Sequence, residues 1–233
     1  MFGSDPAGPI LMSLPAGEPA AGPWCGVRIP ELMRLVYDAG GGPTGRPFVL
    51  AVDGRGGSGK TTLAECLHRA AVRSAIVHTD DLAWNEPLFA WGHLLANVLE
   101  PLRSGDAVRF RPPAWDEHAR DGAIEVPADL DLVIVEGTGA SQRAAAPLMD
   151  AVIWVQADFA EAERRGIERD VVTGANGDRE QATAFWRDWM TSELRFLGEQ
   201  RPWERASLIV AGTFTIALDT EQWAIASPPP VET

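Results

Sequence analysis

Apolar positions along the chain fall into two alternating rhythms. In RPFVLAVDG (46–54), LDLVIVEG (130–137), DAVIWVQA (150–157) and ASLIVAG (206–212) nearly every residue is apolar or β-branched, the pattern of strands covered on both faces. SAIVHTDD (74–81) is a further strand that closes on two acids. Between these runs the spacing changes to that of helices. IPELMRLVYDAG (29–40) begins with a proline at an early position and ends in glycines, and TTLAECLHRAAVR (61–73) lines Leu63, Cys66, Leu67 and Ala70 along one face. Helices are also predicted over 87–102, over the charged run FAEAERRGIERDVV (159–172) and, after the break TGANGD (173–178), over 179–199. Strands alternating with helices imply an α/β fold of three layers around a mostly parallel sheet.

Two regions depart from this rhythm. The extended pieces AVRFR (107–111) and GAIEVP (122–127) flank PPAWDEHARD (112–121), which predicts a small hairpin-like insertion over about 107–127. Residues 1–27 and 226–233 are rich in proline, glycine and alanine and read as flexible tails around a domain spanning 28–225. Phe185, Trp186, Trp189 and Met190 share helical spacing on the last long helix, as core packing would require.

Composition narrows the functional classes. The chain has 233 residues, 45% of them hydrophobic, and a formal charge of −13. That charge opposes binding to nucleic acid, which calls for a basic stripe. No apolar run approaches the roughly 18 residues of a membrane span, and the N-terminal residues lack the basic start of a secretory signal. With 2 cysteines, Cys25 and Cys66, and the latter on the inner face of a helix, a reducing cytoplasmic setting is expected.

The chemistry begins at GRGGSGKTT (54–62), which holds the one lysine among the 20 lysines and arginines of the chain. Its spacing satisfies G-x-x-x-x-G-K-[ST]. Gly54, Gly56, Gly57 and Gly59 let backbone N–H groups, with those of Ser58, Lys60, Thr61 and Thr62, approach phosphate oxygens closely. Lys60 supplies a compact charge to the β- and γ-phosphates of ATP, where a planar guanidinium would reach differently. The Thr61 hydroxyl can bind Mg²⁺, and the helix that starts there turns its positive end to the phosphates. No Asn-Lys-x-Asp stretch is present to read guanine, and no Ser-Gly-Gly signature of transporter ATPases.

Acids sit at the carboxyl ends of two strands, the edge where open α/β sheets bind ligands. Asp80 and Asp81 each fit two roles: orienting a hydroxyl and accepting its proton, with Asp80 also holding Mg²⁺ through water, or capping a helix. Alternation along a strand turns only one of them to the phosphates. Glu136, after LVIV, stands where a metal-linked acid is expected.

Taken together, DGRGGSGKTTLAE, VHTDDLAW, VIVEGTGAS and ERRGIERD resemble the uridine kinase branch of P-loop nucleoside and nucleotide kinases over about Arg46 to Gly212. The resemblance implies transfer of the ATP γ-phosphoryl group to a hydroxyl of a nucleoside-like molecule. Asp80 matches the catalytic aspartate, and Thr61 and Glu136 match the metal ligands. It also implies an arginine-bearing helical lid over about 164–180, carried by Arg165 and Arg169, with Arg164 an alternative. Pairing of these arginines with Glu161, Glu163 and Glu168 on a solvated helix is the competing reading. Leu82 and Ala83 stand before Trp84 where the family carries pocket aromatics. Asp81, Trp84, Trp115, Asp116 and His118 are the candidate acceptor contacts; Trp115 fits base stacking or plain packing, and His118 an exposed polar position. Two other functions stay open: phosphorylation of another metabolite or of a nucleoside antibiotic, and a regulatory ATP-binding module.

Overall fold

The computed structural model describes residues 10–42, 45–214 and 219–229. β2 (Phe48–Gly54) is buried along its whole length and is the middle one of the five parallel strands in a seven-stranded sheet. On one side of it lie β6 (Leu132–Glu136) and β3 (Ser74–His78), on the other β7 (Ala151–Gln156) and β8 (Leu208–Ala211), all parallel. Two antiparallel strands, β9 (Trp223–Ser227) and β1 (Cys25–Arg28), complete the β8 edge.

Side-chain alternation along each strand divides the core into two layers. Leu50, Val52, Ile134 and Ile153 meet α1 (Ile29–Ala39) and α2 (Lys60–Ala70) on one face. Val49, Ala51, Val135 and Trp154 meet α4 (Leu95–Arg103) and α7 (Arg179–Gln200) on the other. The fold is the predicted three-layer α/β arrangement. α3 (Thr79–Ala83) is a single short turn after β3, and a 3₁₀ turn at Ala90–Leu94 occupies the start of the helix predicted over 87–102. The insertion is a hairpin of β4 (Val108–Phe110) and β5 (Ile124–Val126) enclosing α5 (Pro113–Glu117). α6 (Phe159–Thr173) ends at Gly174, and the Asp178 capping box starts α7.

The reading of 1–27 and 226–233 as tails needs correction. Cys25–Arg28 and Trp223–Ser227 pair with each other as sheet strands. Upstream of them, the Ser13 amide donates to the Asp158 carboxylate at the start of α6 and the Ser13 carbonyl accepts from Phe159 N–H, and the Ala21 amide donates to Gln156 Oε1. The Glu18 carboxylate is buried against the Arg55 guanidinium of the glycine loop and also accepts from Trp154 Nε1 at 2.9 Å and Gln156 Nε2 at 3.2 Å. Composition alone reads this segment as solvated, whereas one carboxylate with three donors anchors it. Residues 1–9 and 230–233 of the predicted tails lie outside the described residues. Cys25 and Cys66 are both free thiols, and no helix among the described residues is long and apolar enough to cross a membrane.

Candidate active site

The glycine loop leaves the carboxyl end of β2 and enters α2 at Lys60. Gly57 has φ +74° and lies so close to the Ala162 carbonyl of α6 that a Cβ there would overlap it. A side chain at this position would therefore push α6 away from the loop. Ser58 is buried, Thr61 and Thr62 are exposed at the start of the helix, and Lys60 Nζ reaches back to the Arg55 carbonyl at 3.4 Å.

Register sets the direction of Glu136. Glu136 pairs with Val52 of β2 and with His78 of β3, so its side chain leaves the sheet on the α2 face. There it accepts from Thr61 Oγ1 at 3.0 Å and meets His78 Nδ1 at 2.8 Å. Burial alone would raise the Glu136 pKa; the His78 hydrogen bond, the Lys60 charge and the Thr61 hydrogen bond together hold it below the usual carboxylate value. The same hydrogen bond raises the His78 pKa against its partial burial. His78 escapes a reading of the sequence because only the parallel register of β3 with β6 makes it a neighbour of Glu136.

The described residues contain no group of three His, Cys, Asp or Glu able to enclose a metal ion. A hard hydroxyl and a hard carboxylate at 3.0 Å fit Mg²⁺ nonetheless, because that ion commonly keeps waters and takes only one or two protein ligands beside the phosphates. Thr61 and Glu136 would hold it.

Asp80 and Asp81 lie on the helical turn α3 rather than on the strand, so they diverge by the helical angle and not by strand alternation. Asp81 is engaged: its carboxylate accepts from Arg120 at 2.5 Å and its carbonyl from Trp115 Nε1 at 2.9 Å. Asp80 is exposed and faces a small recess lined by Thr79, Glu86, Phe89, Trp91, Thr138 and Trp189, among others. No lysine or arginine lines it. Phe89 holds φ +60°, unusual for a bulky residue, and stacks on Phe196 at 4.2 Å and against Trp189 at 5.2 Å.

These contacts revise the predicted acceptor residues. Trp115 is buried in the core with the Arg120 guanidinium 3.8 Å from its ring, Asp116 pairs with Arg111, and exposed His118 stands edge-on to Trp84. None of Asp81, Trp84, Trp115, Asp116 and His118 lines the Asp80 recess. The wall is instead built by Phe89 and Trp91, just beyond α3, and by Trp189. Within the aromatic group on α7, Trp186 and Met190 are core as predicted, whereas Trp189 turns to the recess and Phe185 is exposed.

The arginines of α6 separate into three situations. Arg164 joins Glu161 and Glu168 in the solvated pairs of the competing reading, and hydrogen bonds from Arg164 and then Arg165 hold the Glu161 carboxyl down to about 2. Arg165 also donates to the Gly212 carbonyl at 2.7 Å and lines a second, larger cavity with Gly59, Thr62, Leu63, Phe214 and Trp223. Arg169 is bound to buried Asp170 and does not line that cavity. Trp186 lies against Gly166, where a Cβ would overlap its ring, and donates from Nε1 to Asp170 at 2.6 Å. That glycine is what lets α7 approach α6.

Besides Glu18 and Asp170, two more buried acids were not foreseen. Asp53, at the end of β2, accepts from the amides of Gly54 and Gly139 and from the amide and hydroxyl of Ser141, tying the loop after β6 to the glycine loop. Burial raises its pKa in spite of these bonds. Glu193 of α7, fully buried, accepts from the Gly56 amide at 2.6 Å and from Trp189 Nε1 at 3.3 Å.

No family model matches the chain, and no curated protein sequence matches it. Among solved structures, the YGR205w protein is similar with a TM-score of 0.51 at 14% identity, over 86% of this chain and 94% of that one. A candidate fructose transport system kinase from Silicibacter sp. TM1040 is similar with a TM-score of 0.49 at 20% identity, over 68% of this chain and 87% of that one. A possible uridine kinase from Bacillus stearothermophilus gives 0.40 at 18% identity, over 77% and 98%. At these identities the likeness is one of fold, a P-loop α/β fold.

Proposed function

We propose that the protein is an ATP-dependent phosphotransferase that moves the γ-phosphoryl group to a hydroxyl of a small molecule held in the Asp80 recess. The observation that carries this reading is the meeting, at the carboxyl edge of one sheet, of the Lys60 loop, the Thr61–Glu136 pair and an unengaged carboxylate facing an aromatic recess. A module that merely captured nucleotide would need neither that carboxylate nor that recess.

In this reading the cavity beside Thr62, Phe214 and Trp223 takes the base and ribose of ATP, and the loop amides and Lys60 take the phosphates. Mg²⁺, when bound, neutralises charge on the β- and γ-oxygens. Asp80 orients the acceptor hydroxyl and accepts its proton, while Arg165 stands beside the loop as the fixed cation for charge on the transferring group. Phe89, Trp91 and Trp189 favour an acceptor with a flat or apolar face, as a nucleoside has. Asp80 and Glu86, with no cation in the lining, disfavour an anionic one.

The test is a screen of purified protein with MgATP against nucleosides, nucleoside antibiotics, sugars and hydroxy acids, with ADP release as readout. Stimulation by a neutral or cationic hydroxyl compound is expected. Stimulation by hydroxy acids alone would refute the acceptor assignment, and none by any compound would refute the kinase reading.

A further inference from the structure

Glu193 is set apart from the other acids of the site by what it touches. It is fully buried on α7, well removed in sequence from the glycine loop, yet its Oε1 accepts from the amide of Gly56 at 2.6 Å. The same oxygen accepts from the indole N–H of Trp189 at 3.3 Å, one helical turn earlier. Gly56 belongs to the phosphate loop, and Trp189 forms part of the wall of the Asp80 recess. A single carboxylate oxygen thus joins the two halves of the site. The second oxygen is buried with no hydrogen-bond partner among the described residues.

A buried carboxylate with one oxygen unpartnered is costly, and the nearby Arg55 and Lys60 charges offset that cost only in part. An apolar residue could fill the volume. Packing reinforces the link: a Cβ on Gly56 would come within 2.8 Å of the Trp186 ring and 3.1 Å of Trp189 Nε1, so the loop backbone and α7 are in close contact. The coupled geometry also favours one direction of effect. A shift of the Gly56 peptide when phosphate enters the loop changes the bond to Glu193, and through it the placement of the Trp189 indole.

We propose that Glu193 is a positioning residue that couples the phosphate loop to the acceptor wall, so that a nucleotide in the loop sets Trp189 for the acceptor. This rests on the phosphotransferase reading above. Glu193 touches neither reactant; it acts through Gly56 and Trp189. The requirement is a hydrogen-bond acceptor at Oε1, and glutamine can meet it with its amide oxygen.

The experiment uses the full chain labelled with 5-fluorotryptophan, its ¹⁹F spectrum recorded with and without MgADP and the magnesium complex of a non-hydrolysable ATP analogue. The Trp189 resonance is identified by its loss in Trp189→Phe. It is expected to shift on nucleotide binding in the wild type and in Glu193→Gln, and to stay within a linewidth in Glu193→Leu, which still binds nucleotide by calorimetry. Turnover with the acceptor that most stimulates ADP release should fall about 10-fold or more in Glu193→Leu and within about 3-fold in Glu193→Gln, with KM for ATP little changed in both. If Glu193→Leu does not fold, Trp189→Phe tests the link from the other end, since it keeps a ring and removes the N–H. Its turnover should then fall by about 3-fold or more with KM for ATP unchanged. A Trp189 shift that persists in Glu193→Leu overturns the proposal, as do equal losses in the Leu and Gln variants or an unaltered Trp189→Phe. Failure of the wild type to bind either nucleotide overturns the phosphotransferase reading itself, and the coupling with it.

Discussion

Replacing Glu18 with alanine should destabilise the protein far more than a change in an N-terminal segment ordinarily would. The Glu18 and Arg55 side chains are each 1% exposed, and no other group among the described residues accepts a hydrogen bond from the Arg55 side chain. Nε and Nη1 of Arg55 have no hydrogen-bond partner among the described residues; the Phe159 ring lies over the guanidinium at 5.5 Å, and the Glu193 carboxylate is a second acid near enough to feel its charge. Glu18→Ala thus strands a buried cation inside the phosphate loop and orphans Trp154 Nε1. Breaking a buried pair in this way costs roughly 3–5 kcal/mol, a large share of the roughly 5–15 kcal/mol that holds a typical domain folded. Urea denaturation followed by tryptophan fluorescence and far-ultraviolet circular dichroism measures the change at constant m. The double variant Glu18→Ala/Arg55→Met should be more stable than Glu18→Ala, because the stranded charge is gone. A loss below about 1 kcal/mol, the range of a solvated surface pair, would refute the assignment of Glu18 to the core.

Three further outcomes follow from the site. Lys60→Ala and Lys60→Arg should both fold and lose most turnover, since the loop is shaped for a compact ammonium; near-normal steady-state rates in Lys60→Arg would show that the lone lysine is a compositional accident. Asp80→Asn should lower turnover by about 100-fold or more with KM for ATP little changed, whereas Asp81→Asn, which loses its Arg120 pair, should register mainly in thermal stability; the reverse pattern in steady-state kinetics and melting would exchange their roles. The third concerns pH. Glu136 has a depressed pKa, so its contribution is present above the ordinary value of 4.5 and lost as pH falls through the folded value. His78 has a raised pKa, so its contribution is present below 6.5 and lost as pH rises through the folded value. The stability lost in His78→Gln, measured by denaturation at a series of pH values, should therefore be greatest between those two limits; a loss that grows steadily above that window would contradict the pairing.

Central strands and the loop between β2 and α2 were legible because each is declared locally, by an apolar run or by glycine spacing. Glu136 was legible for the same reason, at the end of such a run. His78 was not, because its role comes from register between two strands far apart in sequence. β1 and β9 are short edge strands whose pairing joins the two ends of the described chain, so nothing nearby announces them. Proline and glycine around Glu18 gave the composition of a tail, and one buried ion pair overrides it. Aromatic residues were the least legible: Trp115 and Trp189 are alike in sequence terms, and only packing sends the first to the core beneath Arg120 and the second to the recess.

The central claim is that the γ-phosphoryl group passes to a hydroxyl held beside Asp80. The direct measurement follows ATP labelled with ¹⁸O on the γ-phosphoryl group, incubated with enzyme, Mg²⁺ and the acceptors that stimulate ADP release, by mass spectrometry of the products. The account predicts a phosphate ester of the acceptor that keeps the three labelled non-bridging oxygens, formed by the wild type and nearly absent with Asp80→Asn. Label recovered only in inorganic phosphate, with the acceptor unchanged, would contradict it.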